Sequence, residues 1–244
     1  MNLKSFIRSI LAKTKFIILR YSQKKKKMEK VRWGNLRRLE PFDRDFGFNR
    51  GNPVDRYYIE KFLEMNRSVI DGKVLEVGGV DYIRKFGCSQ VTPFALQINE
   101  ACNDYDIIGD LATGHGLDDE CFDCVLLTQT LPVIYDIRGA IRNSFRILKP
   151  GGAILASVFG IAQISRFDMD RWGDYWRFTD KSIRMLFEEI FDPELINVRS
   201  YGNVLTATSF LHGISCEELS VKELNYEDRD YPVSICIRAT KSFK

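Results

Sequence analysis

Residues 73–82 read Lys73-Val74-Leu75-Glu76-Val77-Gly78-Gly79-Val80-Asp81-Tyr82, an apolar run that closes on an acid and then on a pair of glycines. A buried parallel strand reads this way when it delivers the chain to a ligand at its carboxyl end. Glycines there let the backbone turn sharply and approach a ligand, because no Cβ is in the way. Glu76 is out of place in such a strand. A buried carboxylate is costly without hydrogen-bond donors, so it faces either a polar ligand or backbone N–H groups. A strand, a turn and a capping acid with no ligand would give the same pattern.

The pattern continues on both sides. Upstream, Pro41, Gly47, Gly51 and Pro53 mark a loop, and Asp55 is placed to cap a helix through about Met65, with Tyr58, Ile59, Phe62 and Leu63 on one face. Downstream, Tyr82–Phe86 is a short helix or turn, and further strands are expected at Val91–Ile98, Asp106–Leu111, Phe122–Gln129 and Ala153–Phe159. Ile137, Ala140, Ile141, Phe145 and Leu148 recur at helical spacing between the last two, and Pro150-Gly151-Gly152 ends that helix. Strands alternating with helices and short loops make an α/β fold with a mostly parallel sheet and right-handed crossovers. Ligands of such sheets lie outside the carboxyl ends of the strands. Glu76, Gly78, Gly79, Asp110, Thr128 and Gln129 all fall at those ends.

A chain of 244 residues, 45% hydrophobic, is long enough for one domain with an ample core. A net charge of +3 argues against a general nucleic-acid-binding surface. The excess is concentrated at the start, in Lys24-Lys25-Lys26-Lys27, after apolar residues Phe6, Ile7, Ile10, Leu11, Ile17 and Ile18 at near-helical spacing. Residues 1–40 therefore read as a basic amphipathic extension, and 41–244 as the domain. No uncharged run is long enough to span a membrane and no small-residue cleavage site follows the apolar part. The extension is either an interfacial helix on anionic lipid or a solvated or partner-packed segment. Six scattered cysteines read as reduced thiols of a cytoplasmic protein, peripheral at the inner face of the membrane if the extension binds lipid. Cys121-x-x-Cys124 lacks the second pair a zinc ribbon would need, and no metal site is expected. His115 reads as a loop residue in solvent.

Val74-Leu75-Glu76-Val77-Gly78, Gly109-Asp110-Leu111, Phe122-Asp123-Cys124-Val125 and Arg146-Ile147-Leu148-Lys149-Pro150-Gly151-Gly152 resemble the ordered motifs of class I S-adenosylmethionine-dependent methyltransferases, most of all the small type 11 group. The resemblance covers about residues 42–240. It implies a Rossmann-like sandwich with a seven-stranded, mostly parallel sheet ending in an antiparallel hairpin. Arg199–Gly202 and Val233–Ala239 can supply the hairpin strands. S-adenosylmethionine is the implied cofactor. Glu76, Gly78 and Gly79, flanked by Val77 and Val80, match the motif that cradles its methionine and ribose. Asp110 and Leu111 match the positions beside adenine, and Thr128 and Gln129 those facing the transferred methyl. Arg50–Tyr58 and Arg171–Thr179 resemble a bacterial subgroup often associated with glycosyltransferases and surface-polysaccharide assembly.

Two departures stand out. Val80 and Tyr82 occupy positions where the family carries further glycines. At the end of the second strand, where the family has an acid for both ribose hydroxyls, this chain has Phe94-Ala95-Leu96-Gln97. A neutral Gln97 makes a weaker hydrogen bond than a carboxylate.

An aromatic insert, about residues 160–179, follows the fifth strand at its carboxyl end. Trp172, Trp176 and Arg177 suit an acceptor-binding face, and Asp174, Tyr175 and His212 are the candidates for a base or orienting group. Lid packing, with the charges paired to each other, is the other reading of the insert, and a structural role that of His212. The function expected is methyl transfer to an oxygen or nitrogen of a small-molecule or glycan acceptor. A catalytically weak methyltransferase-like scaffold in glycan assembly is the alternative, and a nicotinamide dehydrogenase comes third.

Overall fold

The apolar run at residues 73–77 forms a central strand because both of its faces are covered. The computed structural model, which describes residues 30–98 and 106–243, has strands β1 (Lys73–Val77), β2 (Thr92–Gln97), β3 (Asp106–Ile108), β4 (Phe122–Thr128), β5 (Leu148–Phe159), β6 (Ile196–Tyr201) and β7 (Ser234–Thr240). They form one sheet in the order β3-β2-β1-β4-β5-β7-β6. The first five strands are parallel, while β7 runs antiparallel to both β5 and β6. The α/β architecture with a terminal antiparallel pair is the one expected. The order reverses beside β1, so a crevice opens above the carboxyl ends of β1 and β4.

Helices α1 (Val54–Met65), α2 (Asp81–Phe86), α3 (Ile137–Ile147), α4 (Arg166–Met169), α5 (Asp180–Glu188), α6 (Val204–Leu211) and α7 (Val221–Asn225) complete the fold. Alternate β1 residues serve two cores. Leu75 packs with Ile137, Ile141 and Ile147 of α3 and Ile183 and Phe187 of α5. Val74 packs with Tyr58, Ile59 and Phe62 of α1, Ile83 of α2 and Phe210 of α6. Helices α3, α5 and α6 begin where a side chain takes free N–H groups. Asp136 accepts from Gly139 N, Thr179 and Ser182 form a capping box on α5, and Asn203 accepts from Leu205 N and Thr206 N.

Several boundaries differ from the sequence reading, among them the start of β6 at Ile196 and three with a clear physical cause. Asp55 does not cap α1. Pro53 stands at the cap, and Asp55 is buried in the first turn with Oδ1 unpartnered. Burial pushes its carboxyl up, against the pull of the neighbouring Arg56 charge. Strand β3 stops at Ile108, because the carboxylate of Asp110 turns the chain by accepting from Ala112 N (2.8 Å) and Thr113 Oγ1 (2.9 Å). Helix α3 ends at Ile147, ahead of the proline. Leu148 is already extended and paired with Phe122, so the Lys149-Pro150-Gly151-Gly152 segment lies inside β5, at a register shift.

The described residues divide into two units, those up to Leu39 and those from Glu40 onward. The amphipathic leader read in residues 1–30 lies outside the described residues except for Lys30, and Gly34–Leu36 make a short 3-10 turn. Among the described residues no helix is long and apolar enough to cross a membrane. Cys124 is buried in β4 and the Cys121 thiol donates to Asp119 O. His115 is an exposed loop residue.

Candidate active site

A cleft of about 440 Å³ opens at the carboxyl ends of the parallel strands. Its floor is the end of β1, Val77 and Gly78. One wall is Leu96, Gln97 and Ile98 at the end of β2 with Gly109, Asp110 and Leu111 after β3. The other is Gln129, Thr130, Val133 and Ile134 after β4, and Asp168 and Trp172 reach in from the insert. Most of the lining is apolar, with polar groups at few points, as ligand sites usually are.

Two features mark the cleft as built for a ligand. Gly78 has φ of +82°, and a Cβ placed on it would meet no atom within 4 Å. The chain turns there in a conformation that favours glycine and leaves the space above it open. Gln129 has φ of +53° and is fixed by its N–H, which donates to the carbonyl and the hydroxyl of Ser157. Both polar atoms of its amide are buried and without a partner among the described residues. An unsatisfied buried amide costs about 1–3 kcal/mol, and strain at such a residue about as much again. Both costs are offset if a bound molecule takes up the amide.

Five of the residues expected to hold the cofactor line the cleft: Val77, Gly78, Asp110, Leu111 and Gln129. The others lie elsewhere. Glu76 is buried and turned away, its Oε2 accepting from Ile83 N (3.0 Å) and its Oε1 from Tyr82 N (3.3 Å). It caps α2 and thereby holds the glycine turn in shape. Burial raises its carboxyl, and the two N–H groups only partly oppose this. Val80 is in the core. Gly79 and Thr128 stand beside the lining residues Gly78 and Gln129 but not among them.

The three candidate bases are not free groups in the cleft. Arg177 donates to both carboxylate oxygens of Asp174, Nη1 to Oδ1 at 2.6 Å and Nη2 to Oδ2 at 2.8 Å, and Ser165 N adds a third bond at 2.9 Å. Asp174 is therefore a structural pillar of the insert. Burial would raise its carboxyl, but the bonds from Arg177 and Ser165 outweigh that and hold it low. The Tyr175 hydroxyl donates to Trp172 O at 2.8 Å. His212 ends α6 and packs against Phe42. Of the three residues expected to bind the acceptor, Trp172 lines the cleft. Trp176 stacks on Tyr135 and donates from Nε1 to Ile134 O, and Arg177 is spent on Asp174. Asp168, Thr130, Val133 and Ile134 line the cleft without having been singled out. Only the polar run after β4 could have pointed to Thr130.

Residues 84–156 match the methyltransferase domain family. That segment is similar to the methyltransferase domain family and includes β2 to β4 and most of β5 of the sheet. S-adenosylmethionine is the methyl donor that this domain implies. The fold agrees. A methyltransferase from Thermotoga maritima superimposes with a TM-score of 0.50 at 17% identity, over 78% of this chain and 92% of its own. One from Archaeoglobus fulgidus gives 0.50 at 13% identity, over 76% and 94%. No curated protein matches the sequence. The open space over Gly78 and the unpaired Gln129 amide fit the cofactor of a methyltransferase domain. Among the described residues no cluster of His, Cys, Asp and Glu could hold a metal ion.

Proposed function

We propose that this methyltransferase transfers the methyl group to an oxygen or nitrogen of a small-molecule or glycan-type acceptor. The unpaired Gln129 amide in the wall of the cleft supports the reading most directly, because it is a costly feature without a ligand. In this reading Val77 and Gly78 lie under the cofactor, Ile98 and Leu111 hold its base, Gln97 and Asp110 meet its polar edges, and Gln129 and Thr130 face the reacting end. When bound, S-adenosylmethionine supplies an electrophilic methyl group on a sulfonium. The chain's own residues align the acceptor with it and keep water out. Trp172 is the residue for the acceptor side, an aromatic face of the kind that suits a sugar or a flat ring.

Calorimetric titration tests this. S-adenosylhomocysteine and S-adenosylmethionine should bind and NAD should not. A chain that binds neither sulfur nucleoside would instead be the methyltransferase-like scaffold. Trp172→Ala is expected to raise the acceptor KM roughly threefold to tenfold, from the 0.5–1.5 kcal/mol typical of an aromatic contact. Trp172 is 45% exposed, so Tm should hardly move. Labelled methyl transfer to a panel of hydroxyl and amine acceptors gives both the acceptor and this comparison. An unchanged KM would remove Trp172 from the acceptor side.

We also propose that residues 1–40 act as a separate basic extension that attaches the protein to anionic lipid at the inner face of the membrane. Deleting residues 1–29 is expected to leave Tm unchanged and to abolish salt-sensitive co-sedimentation with phosphatidylserine vesicles. Equal sedimentation of both forms would refute the lipid role.

A further inference from the structure

Two carboxylates line the cleft, Asp110 and Asp168. They differ in what they already do. Asp110 spends one oxygen on Ala112 N and the other on Thr113 Oγ1. The Asp168 carboxylate has no hydrogen bond or ion pair among the described residues, yet its backbone is tightly fixed. Its N–H donates to Ser165 Oγ at 3.2 Å, and its carbonyl accepts from Arg171 N, Trp172 N and Gly173 N at 2.9–3.0 Å. Ser165 is in turn held by Asp174, and the insert is tied to the segment after β4 by Tyr175 N and Trp176 N on Pro132 O. A free negative charge is thus held at a set place beside the cleft.

The same cleft is lined by the neutral Gln97, at the end of β2, where an acid would take the ribose hydroxyls. We propose that Asp168, reaching in from the insert, supplies the carboxylate that binds the ribose diol of the cofactor. A carboxylate accepts two O–H donors through its two oxygens, and such charge-assisted bonds are about twice as strong as neutral ones. Gln97 adds a neutral partner. The insert then serves the cofactor as well as the acceptor. This inference rests on the reading of the cleft as the S-adenosylmethionine site.

Asp168→Asn tests it in the full chain, by titration with three probes. S-adenosylhomocysteine and 5′-methylthioadenosine keep the diol, and 2′,3′-dideoxyadenosine lacks it. The variant should weaken the first two by roughly tenfold to a hundredfold, the range of a lost hydrogen bond to a charged group. Its affinity for the dideoxy compound should match the parent's, and so should its Tm. Unchanged affinity for all three would overturn the proposal and leave Asp168 to the acceptor. An equal loss for all three would overturn it as a general effect on the cleft. A loss for S-adenosylhomocysteine alone would assign Asp168 to the amino-acid end. A parent chain that binds none of the probes would remove the cofactor reading itself and this proposal with it, whereas a parent that binds and a variant that matches it would remove only the role of Asp168.

Discussion

Gly78→Val is expected to reduce S-adenosylhomocysteine binding on the order of a hundredfold while leaving the protein folded. The position has φ of +82°, and a Cβ there meets no protein atom within 4 Å. The first carbon of a new side chain therefore meets no part of the fold. It would stand in the cleft, between the end of β1 and any ligand lying across it. Overpacking of this kind costs typically about 1–3 kcal/mol, and every 1.4 kcal/mol is a factor of ten in affinity. The left-handed backbone adds a cost of about 1–2 kcal/mol to the folded state for a residue with a Cβ. Tm should fall by a modest amount, and Gly78→Ala should show most of that fall with a smaller loss of binding. Titration and thermal melting of the two variants decide it. A folded Gly78→Val protein that binds like the parent would move the nucleoside away from the end of β1.

Asp174→Asn is expected to destabilise the fold by about 2–3 kcal/mol. The Asp174 side chain is 1% exposed and that of Arg177 27%. Breaking a fully buried pair by removing one partner costs about 3–5 kcal/mol, and the partial exposure of Arg177 reduces this. An asparagine keeps the shape but turns one acceptor into a donor, aimed at Arg177 or at the N–H of Ser165. The effect carries a pH signature. Although burial opposes ionisation, the bonds from Arg177 and Ser165 hold the carboxyl below its ordinary 3.8. A carboxyl depressed on folding stabilises in full above its unfolded pKa, and that contribution is lost as pH falls through the folded one. The Tm gap between parent and variant should therefore be constant near neutral pH and close below about pH 4. Equal melting with a large loss of turnover would instead make Asp174 the base that its place in the insert suggested.

Much of this protein is local chemistry and was legible in residue order. Val74, Leu75 and Val77 are apolar because a central parallel strand is buried on both faces, and the glycine pair after them marks where the chain meets the crevice. Ile137, Ala140, Ile141 and Ile147 repeat at helical spacing because one face of α3 covers the sheet. The alternation of these elements places a ligand at the carboxyl ends of the strands, while the strand order that puts the switch point beside β1 comes from the tertiary structure. Partners chosen across space were not legible. Glu76 could have faced a ligand or backbone donors, and the placement of Tyr82 N and Ile83 N above it decides for the helix cap. Pro53, not Asp55, stands at the start of α1, and Asp55 faces inward. Asp168 and Asp174 are six residues apart in one polar insert and look alike in sequence. The reach of Arg177 and the Ser165 N–H locks one into the frame and leaves the other free beside the cleft. A carboxylate's role is set by which donors arrive at it in three dimensions, and only the tertiary structure makes that choice.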